Sequence, residues 1–160
     1  MSITTRGERR NTDLQQMLTF VLGEESYGVD IRHVQEIRGW SPPTPIPEAP
    51  PHILGVLDLR GAIVPIIDLR LRIGMDTANN SATTVIVVLS VATKRGPRLF
   101  GVMVDRVSDV VNVDAASLRA VPLGNHGSAD YLLGLVSRGE DMVLLLDIDR
   151  MLGQIGRAHV

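Results

Sequence analysis

Short apolar runs, each soon broken by a polar or glycine-bearing stretch, organise most of this chain and predict strands in place of long helices. Residues 17–22 form the first run. Glu24-Glu25-Ser26 turns it into a second around residues 27–31, so a hairpin opens the fold. Ile31, Val34 and Ile37 then recur every third residue, which predicts a short helical turn over 32–37 with all three on one side before Gly39 ends it. Six of the nine prolines fall within residues 42–51, and a segment so poor in N–H donors is expected to run extended over the surface as a connector. Two apolar runs between 53 and 67 flank Arg60-Gly61, the pattern of a hairpin whose tight turn uses glycine's freedom at positive φ. Residues 69–74 read as a short cap. Beyond the polar stretch 76–82, strands are predicted at 84–91, 98–104, 109–113, 131–136 and 142–146, which makes the class all-β, a barrel or a sandwich.

The pattern also repeats. Gly28-Val29-Asp30-Ile31-Arg32-His33-Val34-Gln35-Glu36-Ile37 aligns without a gap to Gly101-Val102-Met103-Val104-Asp105-Arg106-Val107-Ser108-Asp109-Val110, an offset of 73 residues. Ile53-Leu54-Gly55-Val56, Arg60-Gly61, Pro65-Ile66-Ile67-Asp68 and Gly74 align in the same order to Leu132-Leu133-Gly134-Leu135, Arg138-Gly139, Leu144-Leu145-Leu146-Asp147 and Gly153, about 79 residues on. Two similar lobes are expected, divided near residues 76–82. A lobe of only about 70 residues rarely buries enough surface to stand alone, so the two should share a core.

Composition narrows the reading. Val, Leu and Ile supply 50 residues against five aromatics, so the interior must be built of branched aliphatics, which suits strands. The absence of cysteine removes disulfides, thiolate metal sites and thiol nucleophiles, and fits a reducing compartment, the cytoplasm. Residues 1–16 are polar, lack the apolar core of a leader peptide and read as a loose arm; residues 154–160 read as a tail after the domain at 17–153. The longest apolar run, 84–92, falls short of the ~20 residues of a membrane span, so a soluble protein without membrane insertion is expected. Net charge is −2, and the 15 arginines are dispersed beside acids instead of forming a basic stripe interleaved with aromatics, which opposes a small nucleic-acid-binding barrel.

Catalytic chemistry finds little support. His33, His52, His126 and His159 lie far apart without a helical i, i+4 ligand partner, and no nucleophile elbow, Walker loop or dinucleotide fingerprint occurs. Asp105 and Asp109 could share a proton, but a solvated acidic surface explains them equally well. The expectation is therefore no catalytic residue, no metal, no cofactor and no enzyme. Pro47-Glu48-Ala49-Pro50 matches P-x-x-P, for which a rigid connector is the better reading than an SH3 ligand.

Several segments resemble the CheW family of chemotaxis coupling proteins. These are Leu18-Thr19-Phe20-Val21-Leu22-Gly23, Tyr27-Gly28-Val29-Asp30-Ile31, Val34-Gln35-Glu36-Ile37-Arg38-Gly39, Gly55-Val56-Leu57-Asp58-Leu59-Arg60-Gly61 and Ile63-Val64-Pro65-Ile66-Ile67-Asp68-Leu69-Arg70. Val104-Asp105-Arg106-Val107-Ser108-Asp109-Val110 and Tyr131-Leu132-Leu133-Gly134 are similar to its second-half segments, so the resemblance covers roughly residues 17–152. Asp58 departs from the asparagine usual before Leu-Arg-Gly.

The resemblance implies two five-stranded, SH3-like β-barrel lobes sharing a hydrophobic core, with a few short helices. It also implies an adaptor binding the cytoplasmic tip of chemoreceptors and the regulatory domain of a CheA-type histidine kinase. Without a receiver or kinase domain the chain resembles the stand-alone coupler; an adaptor of a type IV pilus or other chemosensory pathway is the near alternative. Val34, Glu36, Ile37, Arg60, Val104 and Val107 are the implied partner-binding residues. Glu36 and Arg60 have repeat counterparts in Asp109 and Arg138, so they are either four solvated turn charges or an acid–arginine pair in each lobe with the first turned to a partner. Val34 and Ile37 are likewise either core or part of an apolar groove for a receptor helix.

Overall fold

The computed structural model describes residues 14–75, 81–121 and 131–158. Its strands are β1 (Leu14–Leu22), β2 (Glu25–Asp30), β3 (Val34–Gly39), β4 (Ile53–Leu59), β5 (Ala62–Asp68), β6 (Val85–Thr93), β7 (Gly96–Val104), β8 (Arg106–Asp114), β9 (Leu132–Arg138) and β10 (Asp141–Leu146). Helix α1 (Leu69–Arg72) and helix α2 (Ile148–Ala158) follow β5 and β10, and single 3-10 turns lie at Ile31–His33 and Ala115–Ser117. Two five-stranded sheets result, ordered β8-β1-β2-β10-β9 and β3-β6-β7-β5-β4. The all-β class and the short cap after β5 are as expected.

The two orders coincide under β1↔β6, β2↔β7, β3↔β8, β4↔β9 and β5↔β10, which is the correspondence of the sequence repeat. Each repeat is nevertheless shared between both sheets. The lobes therefore do not divide near 76–82, where the two repeats merely meet: the β1 sheet takes β8, β9 and β10 from beyond that point, and the β6 sheet takes β3, β4 and β5 from before it.

Link length explains the exchange. The third strand of each unit pairs antiparallel to a first strand, so it runs parallel to the second strand, one strand removed. For β3 to occupy that place in its own sheet, the chain would have to return along the six residues of β2, about 20 Å. The three linking residues Ile31–His33 span about 10 Å at most, and the single residue Asp105 between β7 and β8 spans less. Both chains therefore pass onward into the opposite sheet.

The helical turn expected over 32–37 is a 3-10 turn that ends at His33, because pairing with β6 draws Val34 and its successors into a strand. Val34 and Ile37 consequently face opposite sides: Val34 packs on the core, whereas Ile37 is 46% exposed. The arm expected over residues 1–16 ends before residue 14, since Leu14 to Gln16 already pair with β8. The presumed tail is helical through Ala158.

Alternation along the strands builds three cores. Leu18, Phe20 and Leu22 of β1 meet Val87, Leu89 and Val91 of β6 in a cluster lying between the sheets, the shared core the repeat called for. Met17 with Val143 and Leu145 fills the inside of the β1 sheet, and Ile86 and Val88 with Val64 and Ile66 fill that of the β6 sheet. Strands buried on both faces need unbroken aliphatic runs, hence Val85-Ile86-Val87-Val88-Leu89. The repeated Gly-Val falls where backbone must approach those inner clusters: a Cβ on Gly101 would come within 2.6 Å of Ile66 and 2.9 Å of Ile86.

Neither sheet closes into a barrel by hydrogen bonds, which corrects the closed-lobe expectation: β3 and β4 are opposite edges of one sheet, β8 and β9 of the other. Connector residues cover each seam instead. Thr44 exchanges both backbone bonds with Val56 at 2.9 Å, and Arg119 does the same with Leu135 at 2.9 and 2.8 Å. The segment 42–51 is thus a connector as expected, though it turns at Glu48 (φ +65) and is not continuously extended.

Gly55 makes the first of these approaches possible. At φ +148 a Cβ there would lie 2.1 Å from the Thr44 carbonyl oxygen. Gly55→Ala is expected to lower stability by about 3 kcal/mol, combining backbone strain with a clash against main chain. Gly61→Ala, at φ +93 but in open space, should cost only about 1 kcal/mol. Urea titrations of the two variants check the contrast, and equal losses would mean that the Thr44 approach is not held in solution.

Candidate protein-docking site

The β4–β5 hairpin turns on Arg60 and Gly61 alone, since Leu59 pairs with Ala62. Both residues have positive φ, +55 and +93, the geometry of a type I′ turn. Asp58 Oδ1 accepts the Gly61 N–H at 2.8 Å. An asparagine Oδ1 would accept the same bond, so the Asp58 departure leaves the turn intact.

Arg60 reaches from this turn across the open seam to Glu36 on β3, and Arg38 holds the other Glu36 oxygen at 3.1 Å. Arg60 foremost, then Arg38, keeps the Glu36 carboxyl below the ordinary glutamate range. The carboxylate form is therefore favoured in the folded protein, and the contact is lost only as pH falls through that lowered value. Arg138 and Asp109 repeat the arrangement between β9 and β8 at 3.4 Å, more loosely. The acid–arginine pair in each lobe is present. Arg60 joins two edges of a sheet that no ladder closes.

The structure separates the remaining candidates. Arg60 and Ile37 are exposed and Glu36 is half-buried, all on the β6 sheet. Val34 and its counterpart Val107 are half-buried, each packed on the central core. Val104 is 0% exposed: β7 alternates Phe100, Val102 and Val104 into that core, so Val104 is packing and cannot face a partner. Asp105 and Asp109 are not partners of each other in the structure. Each pairs with its own arginine, Arg70 and Arg138.

Two residues escaped the sequence reading. Ile63 is the second residue of β5 and is 63% exposed; its repeat counterpart Met142 is exposed as well, a doubled signal that the alignment could have carried. Arg70 is 2% exposed, with Nε 3.2 Å from Asp68 and Nη1 2.9 Å from Asp105. Asp105 Oδ2 in turn accepts the Gly23 N–H at 2.6 Å, so a buried guanidinium ties α1 to the β7–β8 crossover and the β1–β2 turn. Arg72 adds a second tie, donating to the Tyr131 hydroxyl at 2.6 Å and the Met151 carbonyl at 3.0 Å.

Among the described residues no group of three or more His, Cys, Asp or Glu side chains could hold a metal. No helix among them is long and apolar enough to cross a membrane. His126 and His159 lie outside the described residues. Two sheets that exchange strands and present an exposed hairpin and edge strand define a β scaffold.

A family model for the CheW-like domain matches residues 16–156, and the chain belongs to that family. It is 43% identical over 139 residues to the chemotaxis protein CheW of Klebsiella aerogenes, covering 86% of this chain and 81% of the relative. It is 35% identical to that of Rhizobium meliloti, covering 84% and 85%. The scaffolding protein TtCheW from Thermoanaerobacter tengcongensis has the same fold, with a TM-score of 0.78 at 28% identity over 86% of this chain and 92% of that one.

Proposed function

We propose that this chain is a non-enzymatic, cytoplasmic adaptor of chemotaxis that couples the cytoplasmic tip of chemoreceptors to the regulatory domain of a CheA-type histidine kinase. Its docking surface uses Glu36, Ile37 and Arg60, widened by Ile63 and backed by Val34, with Val107 backing the equivalent surface of the β1 sheet. Membership in a family of chemotaxis proteins supports this reading. The observation that carries the site is the backbone of Arg60. Asparagine or glycine is the default at φ +55, and an arginine held there at a strain of about 1 kcal/mol points to use of its side chain.

The test is a cycle of Arg60→Gly, Glu36→Gln and the double variant against a receptor cytoplasmic fragment and a kinase regulatory domain. Glycine keeps the turn at positive φ and removes the Arg60 side chain. Arg60→Gly is expected to leave the melting curve near that of the parent while weakening at least one partner about 10- to 100-fold, as arginine anchors commonly do. Non-additive losses in the double variant would show that the residues act as one unit. Unchanged affinity for both partners with a lowered melting temperature would reduce the pair to a seam clasp and remove Arg60 from the site.

A further inference from the structure

The exchange of strands gives the molecule two equivalent junctions between a helix, a strand crossover and the end of a first strand, and they are filled differently. At one, the Asp105 carboxylate uses both oxygens: Oδ2 takes the Gly23 N–H just beyond β1's core residue Leu22, and Oδ1 takes Arg70 two residues beyond Asp68. The pairings Phe20↔Tyr27 and Leu89↔Phe100 set the correspondence, which places Ala92 where Gly23 stands and Asp149, two residues beyond Asp147, where Arg70 stands. Asp149 Oδ1 indeed takes the Ala92 N–H, at 2.8 Å. The charges are inverted: α2 brings the carboxylate, and the 31–33 crossover brings the cations.

Here, however, no cation closes the pair. Arg32 is turned away and held by Asp30 through bonds of 2.6 and 3.0 Å. His33 approaches Asp149 only to 3.9 Å, and its Nδ1 donates instead to the Ser90 carbonyl at 2.8 Å, so it gives Asp149 no hydrogen bond. No hydrogen bond from the described residues reaches Asp149 Oδ2. What remains is a cleft of about 550 Å³ lined by Asp30, Arg32, His33, Ser90, Ala92 and Asp149.

We propose that this cleft is a second docking site, which receives an arginine side chain of a partner protein against Asp149 as Arg70 is received against Asp105. The Asp30–Arg32 pair cancels its own charge, which leaves Asp149 as the acceptor. A guanidinium brings parallel donors to a carboxylate such as that of Asp149, where a lysine brings only a point charge. Neither Glu36 nor Arg60 lines the cleft, and its test requires neither receptor nor kinase.

The full chain, labelled for amide NMR, is titrated with N-acetyl-arginine methylamide and, separately, with its neutral isostere N-acetyl-citrulline methylamide. Expected are saturable shifts at the Ala92, His33 and Asp149 amides with the arginine analogue, weakened about ten-fold or more with citrulline and lost in Asp149→Asn. That variant keeps an oxygen for the Ala92 N–H, and its amide spectrum verifies that it is folded. Equal shifts with both analogues, shifts that persist in Asp149→Asn, or none at these amides would overturn the proposal. So would Arg32→Ala being required before any binding occurs, since Arg32 would then be the native occupant.

Discussion

Replacing Arg70 by alanine is expected to lower the unfolding free energy by about 3–5 kcal/mol, the usual cost of removing one member of a buried ion network. The guanidinium is 2% exposed and pairs with Asp68, itself 1% exposed, and with Asp105. Its loss takes that charge from a carboxylate deep in low dielectric and opens a void beside Asp105. Arg70→Met restores most of the volume but none of the charge and should recover little, whereas a short truncation effect alone would be largely repaired by methionine. Asp105→Asn keeps an acceptor for Gly23 and should cost less than Arg70→Ala. Urea titrations with an unchanged m value measure all three. A loss below about 1 kcal/mol for Arg70→Ala would mean that the network is hydrated and that the lobes are joined by the aliphatic core alone.

The strands, the hairpin turn at Arg60-Gly61 and the shared core were legible because each rests on a local pattern or on the repeat. Gly28 and Gly101 align because both stand against an inner cluster, and Gly55 and Gly134 because both lie under a connector carbonyl. The exchange of strands was not read, although its cause is in the sequence. The three-residue period at Ile31, Val34 and Ile37 suggested a helical turn, and that concealed how few residues remain between β2 and β3. The same misreading put Val34 and Ile37 on one face.

Side-chain roles were less legible than elements. The acid–arginine pairs emerged because the repeat supplies each with a counterpart. Val104 went astray because family position outweighed the plain alternation of Phe100, Val102 and Val104 into the core. Arg70 stands in Leu69-Arg70-Leu71-Arg72, which reads as an amphipathic cap. Nothing nearby announces that its partner is Asp105, 35 residues on and brought there by a crossover.

Cutting the chain between Met75 and Ser81 is expected to leave neither piece folded by itself, while mixing the two restores a cooperative β structure. Each piece contains one complete repeat, so a simple duplication of independent lobes would predict two folded fragments. The first piece, however, holds β1 and β2 of one sheet with β3, β4 and β5 of the other. For it to form a lobe alone, β1 and β2 would have to replace β6 and β7, and the Ile31–His33 link is too short to bring β3 back beside β1. The second piece meets the same barrier at Asp105. Each would also expose its share of the central cluster, Leu18, Phe20 and Leu22 on one side and Val87, Leu89 and Val91 on the other. Together they regain every ladder, since the cut crosses none. Circular dichroism of each piece and of the equimolar mixture, followed through thermal unfolding, decides the matter. A cooperative transition in either piece alone would show that the crossover can reopen and that exchange is a preference of the intact chain instead of a constraint of its links.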